Sequence, residues 1–133
     1  ANMADQSMIV IDLMGGGGVM EEDHEDQRKI AKGVKYIWEQ ERFDPITHHC
    51  RYHIHFRFKD GSALERAFTY DWRLWSIPEV TELLYEAGFD DVVVYWEDED
   101  EDTGEGNGTW RQRKHAPSDP TWIAYVIGVK RGV

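Results

Sequence analysis

The stretch Arg51-Tyr-His-Ile-His-Phe-Arg-Phe58 alternates apolar and charged residues with a period of two. In an extended strand this period places the aromatic and aliphatic side chains on one side and the arginines and histidines on the other. A strand of this kind is typical of an antiparallel sheet with one side in solvent. We therefore predict a strand over residues 49–59 whose charged side faces water.

The sequence on each side of this strand predicts two partners for it. Turn-forming residues lie at Phe43–Thr47 and Lys59–Ser62. In the predicted register, Trp38 and Phe68 lie on either side of Ile54, so apolar residues meet apolar residues. A shift by one residue would mix the two faces, which makes this register strongly preferred. The resulting three-stranded meander comprises residues 34–43, 49–59 and 63–72.

Size and composition limit the class of protein. A chain of 133 residues is long enough for one domain, residues 1–133, and short for two. The net charge of −11 argues against a nucleic-acid-binding surface. With Cys50 alone there is no internal disulfide, which fits a reducing, cytoplasmic setting. No apolar run reaches the roughly 20 residues that span a bilayer, so no membrane segment is expected.

Four further elements follow from local patterns. Residues 7–13 form a continuously apolar run, typical of a parallel strand covered on both faces. Residues 76–88 read as a helix, because Ser76 and Glu79 form a capping box and Gly88 provides a stop. Residues 91–96 and 122–130 read as two final strands. The segment 97–120 is interpreted as a long loop, and 19–33 as a loosely packed helix or an ordered loop.

These elements together predict an α+β or partial α/β fold. We expect a mixed, mainly antiparallel sheet, in which the meander and three further strands carry one main packed helix. The residues alone leave the function open between an enzyme and a binding module.

Three stretches resemble the C-terminal half of class I S-adenosylmethionine-dependent methyltransferases. They are Met8-Ile-Val-Ile-Asp-Leu-Met-Gly-Gly16, Phe68-Thr-Tyr-Asp-Trp-Arg-Leu-Trp-Ser-Ile-Pro-Glu-Val-Thr-Glu-Leu-Leu-Tyr-Glu-Ala-Gly-Phe89 and Trp122-Ile-Ala-Tyr-Val-Ile-Gly-Val-Lys130. The resemblance implies half of a Rossmann-like fold, the substrate-facing portion of an enzyme that acts on a small molecule. S-adenosylmethionine would bind to the full-length protein and not to this chain, which would be a fragment inactive by itself.

The resemblance also implies which side chains contact the substrate. The insertion after the first strand and the late loop border the substrate pocket in such enzymes. The implied substrate contacts are Tyr36, Trp38, Tyr70, Trp72, Arg73, Asn107, Trp110 and Arg111. A less favoured alternative makes the glycine run the cofactor turn, with Asp12, Gly15 and Gly17 as cofactor contacts. No catalytic acid–base pair or nucleophile is evident.

Two other functions remain open. His53 and His55 are spaced as metal ligands on one strand face, with Glu39 and Glu65 nearby in the predicted register. The chain could also be a non-enzymatic module that binds a small ligand or another protein. A half-sheet would expose a strand edge, which predicts a homo-oligomer through that edge.

Overall fold

The computed structural model describes residues 4–132, and these residues form two compact units with one four-stranded antiparallel sheet each. The terminal unit comprises the described residues through Gly16 together with those from Trp75 on, and the meander unit comprises Gly17–Leu74. The strands are β1 (Ser7–Gly15), β2 (His24–Ala31), β3 (Val34–Phe43), β4 (His49–Phe58), β5 (Ala63–Arg73), β6 (Asp91–Glu99), β7 (Gly106–Gln112) and β8 (Trp122–Lys130). Helix α1 is Ile77–Glu86, and a 3₁₀ helix covers Gly17–Met20.

The terminal unit packs α1 on one face of a sheet with strand order β1-β8-β6-β7. The core of this contact consists of Val80 and Leu84 from the helix and Val126 from β8. Their side chains are at most 8% exposed. Burying an aliphatic side chain of this size contributes about 1.5–3 kcal/mol. An apolar helix stripe on an apolar sheet face therefore holds this unit together.

Helix α1 begins and ends where the sequence predicts. The Ser76 hydroxyl accepts a hydrogen bond from the Glu79 N–H, and the Glu79 carboxylate accepts one from the Ser76 N–H, which completes the capping box. At the other end Gly88 has φ +100°, and the Phe89 N–H donates to the Leu84 carbonyl at 3.1 Å. This arrangement is a Schellman motif, in which glycine adopts the left-handed conformation without strain. The prediction for this helix is confirmed.

The meander unit has strand order β2-β3-β4-β5. Trp38 and Phe68 lie opposite Ile54, and Glu39 lies opposite His53, as the alternation predicts. The predicted register sets Arg57 opposite Glu65, but an irregularity beyond Ile54 places Arg57 opposite Ala63. The three predicted meander strands are therefore confirmed, apart from the pairing at this irregularity.

The predicted fold class is wrong. In the described residues 57% are in strands and 11% in helices, all strand pairs are antiparallel, and the strands form two separate sheets. This architecture is a small β-rich one and not a Rossmann-like α/β half. The continuous apolar run of β1 predicts a parallel strand covered on both faces, and this prediction is also wrong. In the structure β1 pairs antiparallel with β8, and Met8 and Val10 are 67% and 54% exposed on one of its faces.

Two segments interpreted as loop or helix are strands. Within 19–33, β2 pairs along β3 with its polar side chains exposed, so it carries no apolar stripe that sequence patterns could detect. Within 97–120, β6 extends to Glu99 and β7 pairs with it as a hairpin. Neighbouring strands supply the backbone hydrogen bonds, and this tertiary pairing overrides weak local propensity. Within residues 4–132, no helix is long and apolar enough to cross a membrane.

Candidate functional site

The apolar face of the meander sheet carries a group of aromatic rings, which we name the aromatic face. The rings of Trp38 and Tyr52 lie 4.8 Å apart, those of Trp38 and Tyr70 6.3 Å apart, and those of Tyr70 and Trp72 4.4 Å apart. Each separation is within or close to the range of favourable aromatic contacts. The face consists of Tyr36, Trp38, Tyr52, Phe56, Tyr70 and Trp72. Alternation on three adjacent strands places all these side chains on one side.

Hydrogen bonds to the chain before β2 fix the centre of this face. The Tyr52 hydroxyl donates to the Val19 carbonyl at 2.7 Å, and burial raises the pKa of Tyr52. The Gln40 amide donates to the carbonyls of Gly18 and Glu21, both at 2.9 Å, while its oxygen accepts from the Trp38 indole N–H at 3.2 Å. These bonds hold the Trp38 ring in one orientation, so the centre of the face is preorganised.

The aromatic face opens to solvent on the β5 side. Tyr52 is 1% exposed, whereas Trp72 is 42% and Phe68 54% exposed. On the β2 side, the Arg28 guanidinium lies 4.8 Å from the centre of the Tyr36 ring, a cation–π contact. Burial raises the pKa of Tyr36, and the Arg28 charge partly opposes this increase. A planar apolar molecule could therefore contact accessible rings next to a fixed, buried centre.

The structure brings together some of the predicted substrate contacts and separates others. Tyr36, Trp38, Tyr70 and Trp72 share the aromatic face. Arg73 ends β5 and alternates to the opposite side of the strand from Trp72.

The late-loop candidates belong to the terminal unit, on β7. The Trp110 ring packs against Tyr125 at 4.7 Å, and the Arg111 guanidinium pairs with the Asp98 carboxylate at 2.6 Å. Trp110, Tyr125 and Val10 also line a shallow apolar depression of about 350 Å³.

Asn107 lines an open cleft of about 660 Å³ whose other walls are mainly acidic. At the acidic end, the hydrogen-bonded Asp119 carboxyl raises the pKa of Glu99, because two adjacent carboxylates resist ionising together.

The opposite face of the meander sheet contains two buried histidines, His53 and His55, which are 1% and 5% exposed. The alternation along β4 predicts that both side chains face solvent, and this prediction is wrong. His53 lies between the Thr69 hydroxyl at 2.8 Å and the Glu41 carboxylate at 2.5 Å. This hydrogen bond from His53 is the main reason why the pKa of Glu41 is lowered.

The second histidine is held by a different set of partners. The Nε2 atom of His55 lies 3.1 Å from the Glu39 carboxylate. Its Nδ1 atom accepts the Arg66 backbone N–H at 2.8 Å and lies 2.9 Å from the Glu65 carboxylate. Arg66 has φ +48° at the irregularity of β5, and this backbone geometry directs its N–H toward the ring. An Nδ1 atom that accepts this bond carries no proton, so the Nε2–H donates to Glu39.

The network around His53 and His55 does not contain the ligand group that the metal-site hypothesis requires. Across residues 4–132, no cluster of three or more histidine, cysteine, aspartate or glutamate side chains is arranged to hold a metal ion. The ring nitrogens of His53 and His55 have protein partners instead. The geometry is that of a buried polar network held by hydrogen bonds within the protein.

The glycine run does not fit S-adenosylmethionine. A Cβ at Gly15 would collide with the Trp122 ring, and a Cβ at Gly16 would collide with the Pro120 carbonyl. Gly15 and Gly16 therefore leave space for Trp122 and Pro120 of the same chain. Gly17 begins a 3₁₀ helix of only four residues, and Asp12 lies in the middle of β1, paired with Tyr125.

Sequence reasoning did not identify Gln40, Glu41 and Thr69 as partners of the site residues. A signal for Gln40 was present, because it interrupts the aromatic side of β3 with a polar group. Comparison with known proteins adds no assignment: no protein-family model and no curated protein sequence matches this chain.

Proposed function

We propose that this chain is the substrate-facing part of an S-adenosylmethionine-dependent methyltransferase, and that the aromatic face receives a small methyl acceptor. The sequence resemblance of the three stretches supports the class of enzyme. The observation that carries the acceptor site is the set of ring contacts that joins Trp38, Tyr70 and Trp72. Tyr36 lies on the same face of the sheet, where its ring contacts Phe56. The proposal concerns function and does not include a Rossmann-like fold.

The chemistry of the aromatic face favours a planar, largely apolar acceptor. A ring of the acceptor could contact Trp72 and Phe68, whose side chains are accessible, while Trp38 remains fixed by Gln40. Each favourable aromatic contact contributes about 0.5–1.5 kcal/mol beyond the buried area. Methyl transfer depends mainly on the alignment of two reactants, so this part of the enzyme would contribute a rigid aromatic surface that orients the acceptor.

The cofactor would be held outside the described residues. Asp12, Gly15 and Gly17 do not form a suitable cradle, and we expect this chain by itself to show no binding of S-adenosylhomocysteine in a calorimetric titration. Micromolar binding would contradict this part of the proposal.

The acceptor site can be tested by nuclear magnetic resonance titration of the chain with a panel of planar aromatic compounds. We expect shifts confined to the meander unit, and loss of binding in Trp72→Ala. The matched control is Trp110→Ala, which removes the same ring from the terminal unit and should bind normally. The reverse result would place the site at the depression beside Tyr125 and contradict the proposal.

The second candidate function is a non-enzymatic module that binds a small ligand or another protein. It is favoured by the poor fit of the glycine run to a cofactor and by the completeness of the aromatic face within one unit. An assay of a natural protein that contains this sequence distinguishes the enzyme from the binding module. Transfer of a labelled methyl group to the bound compound supports the enzyme, and binding without transfer supports the module.

We also propose a reducing, cytoplasmic location and no nucleic-acid partner. Cys50 is 1% exposed and its thiol donates to the Trp72 carbonyl at 3.2 Å. Burial raises the pKa of Cys50, which keeps the thiol protonated and unreactive. The net charge of −11 disfavours binding to a polyanion. Fractionation of cells that express the natural protein tests the location.

A further inference from the structure

We propose that the open edge of β1 is an interface for a second copy of this chain, with the two β1 strands pairing antiparallel about Ile11. The proposal rests on the terminal unit and does not depend on the proposed function. Its basis is the composition of the two edges of the terminal sheet.

The edge formed by β1 lacks the usual protection against pairing. β1 is nine residues long, pairs with β8 without any irregularity, and within residues 4–132 has no strand on its other side. Such an edge presents a row of unpaired N–H and C=O groups. Lysine, proline and bulges commonly block edges, and β1 contains none of them, with Asp12 as its one charged residue.

The opposite edge, formed by β7, is protected. It is seven residues long, and its pairing with β6 is irregular between Glu97 and Glu99. Gly108 has φ +81°, and Arg111 places a charged side chain on the strand. The β7 edge is therefore protected against pairing, whereas the β1 edge can accept a partner strand.

The side chains beside the β1 edge are also unusually exposed. On the face that points away from α1, Met8 is 67% and Val10 54% exposed. A partner strand along β1 would shield both side chains and satisfy the free backbone groups at the same time.

The sequence of β1 is complementary to itself about Ile11. In an antiparallel pair centred there, Ile9 lies opposite Leu13 of the other copy and Met8 opposite Met14, while Val10 lies opposite Asp12, which keeps the two Asp12 carboxylates apart. All nine residues pair in this register, and each side chain keeps its own face. A register shifted by one would mix the faces, and one centred on Asp12 would place two carboxylates opposite each other. This self-complementarity is why we infer a second copy and not an unrelated strand.

The first test is sedimentation velocity of the chain and two aspartate variants. We expect a dimer for the parent and a monomer for Val10→Asp, because in the proposed register it places a carboxylate directly opposite Asp12 of the other copy. The matched control is Ile123→Asp, whose position is 52% exposed on β8 and not at the edge. It should remain a dimer. A monomeric parent, or a dimer lost in Ile123→Asp and kept in Val10→Asp, would overturn the proposal.

A second test measures the register and does not rely on the folding of Val10→Asp. In a Cys50→Ser background, Ile11→Cys should form a disulfide-linked dimer under mild oxidation, since directly opposite residues meet the geometry of a disulfide. Ile9→Cys, on the same strand and face, should remain uncrosslinked because it lies opposite Leu13. Crosslinking of Ile9→Cys alone would refute pairing about Ile11.

Discussion

The two sheets of this protein are stabilised by different kinds of core. In the terminal unit, Val80, Leu84 and Val126 form an apolar contact between a helix and a sheet. In the meander unit, Gln40 and two histidines are buried in addition to Tyr52 and Ile37. The first core needs only complementary shapes, whereas the second needs a hydrogen-bond partner for each polar group. Among the described residues no buried side-chain polar atom lacks such a partner.

This difference changes what a substitution should do in each unit. An apolar core loses stability in proportion to the volume removed and the cavity that remains. A polar core loses stability when a buried group is left without its partner, even if little volume changes. Three substitutions separate these two mechanisms.

The largest effect is expected for Leu84→Ala in the terminal unit. Leu84 is 6% exposed in the core under α1, so the truncation should lower the free energy of unfolding by about 2–5 kcal/mol. Chemical denaturation followed by circular dichroism measures the change. The control is the neighbouring Leu83→Ala, at a position 47% exposed, where the loss should be much smaller. Equal losses at both positions would show that helix propensity, and not core packing, controls stability.

A smaller effect is expected for Gln40→Ala in the meander unit. The substitution leaves the carbonyls of Gly18 and Glu21 without their amide donor, at a cost of about 1–3 kcal/mol. The Trp38 indole should also become more mobile, which its fluorescence anisotropy would report. Gln27→Ala on exposed β2 serves as the control and should change neither quantity. An unchanged Gln40→Ala variant would show that the polar core contributes little.

The smallest effect is expected for Glu41→Gln, whose difference in stability from the parent should depend on pH. The His53 hydrogen bond lowers the pKa of Glu41 in the folded protein, so this carboxylate stabilises the fold at pH values above its ordinary pKa of 4.5. That contribution is lost as the pH falls through the lowered pKa. The parent should therefore be more stable than the variant at neutral pH, and the difference should shrink in acid.

Thermal unfolding of both proteins from neutral to acidic pH measures this difference. Glu82→Gln, on the exposed side of α1, is the control for the removal of a surface carboxylate. A difference between parent and Glu41→Gln that grows as the pH falls would contradict the assignment of this bond.

The features that the sequence predicts depend on nearby residues, whereas those that it does not predict depend on residues far apart in the chain. The capping box and Gly88 located α1, and the alternation around Ile54 located the meander pairing, because both signals are read within a few neighbouring residues. The irregularity at Arg66 could not be predicted, since it depends on how β5 meets His55 across the sheet. The polar strand β2 was missed for a related reason: it has no apolar pattern and is a strand only because β3 pairs with it.

The candidate site divides in the same way. Alternation was sufficient to place Tyr36, Trp38, Tyr70 and Trp72 on one side of the meander. It could not show that Asn107, Trp110 and Arg111 belong to the other unit, because sequence distance does not report spatial grouping. Alternation also predicted that His53 and His55 face solvent, although both are buried. A polar side chain is buried only when specific partners compensate for its loss of water.

By itself, the sequence determined the strand alternation, the register about Ile54 and the ends of α1, because these follow from local sterics, hydrogen bonding and the separation of apolar from polar residues. Only the tertiary structure decided that the strands form two antiparallel sheets and that both histidines are buried. It also decided that the glycine run admits Trp122 and Pro120. These outcomes depend on contacts between residues far apart in the chain, and their energies cannot be read from any one segment.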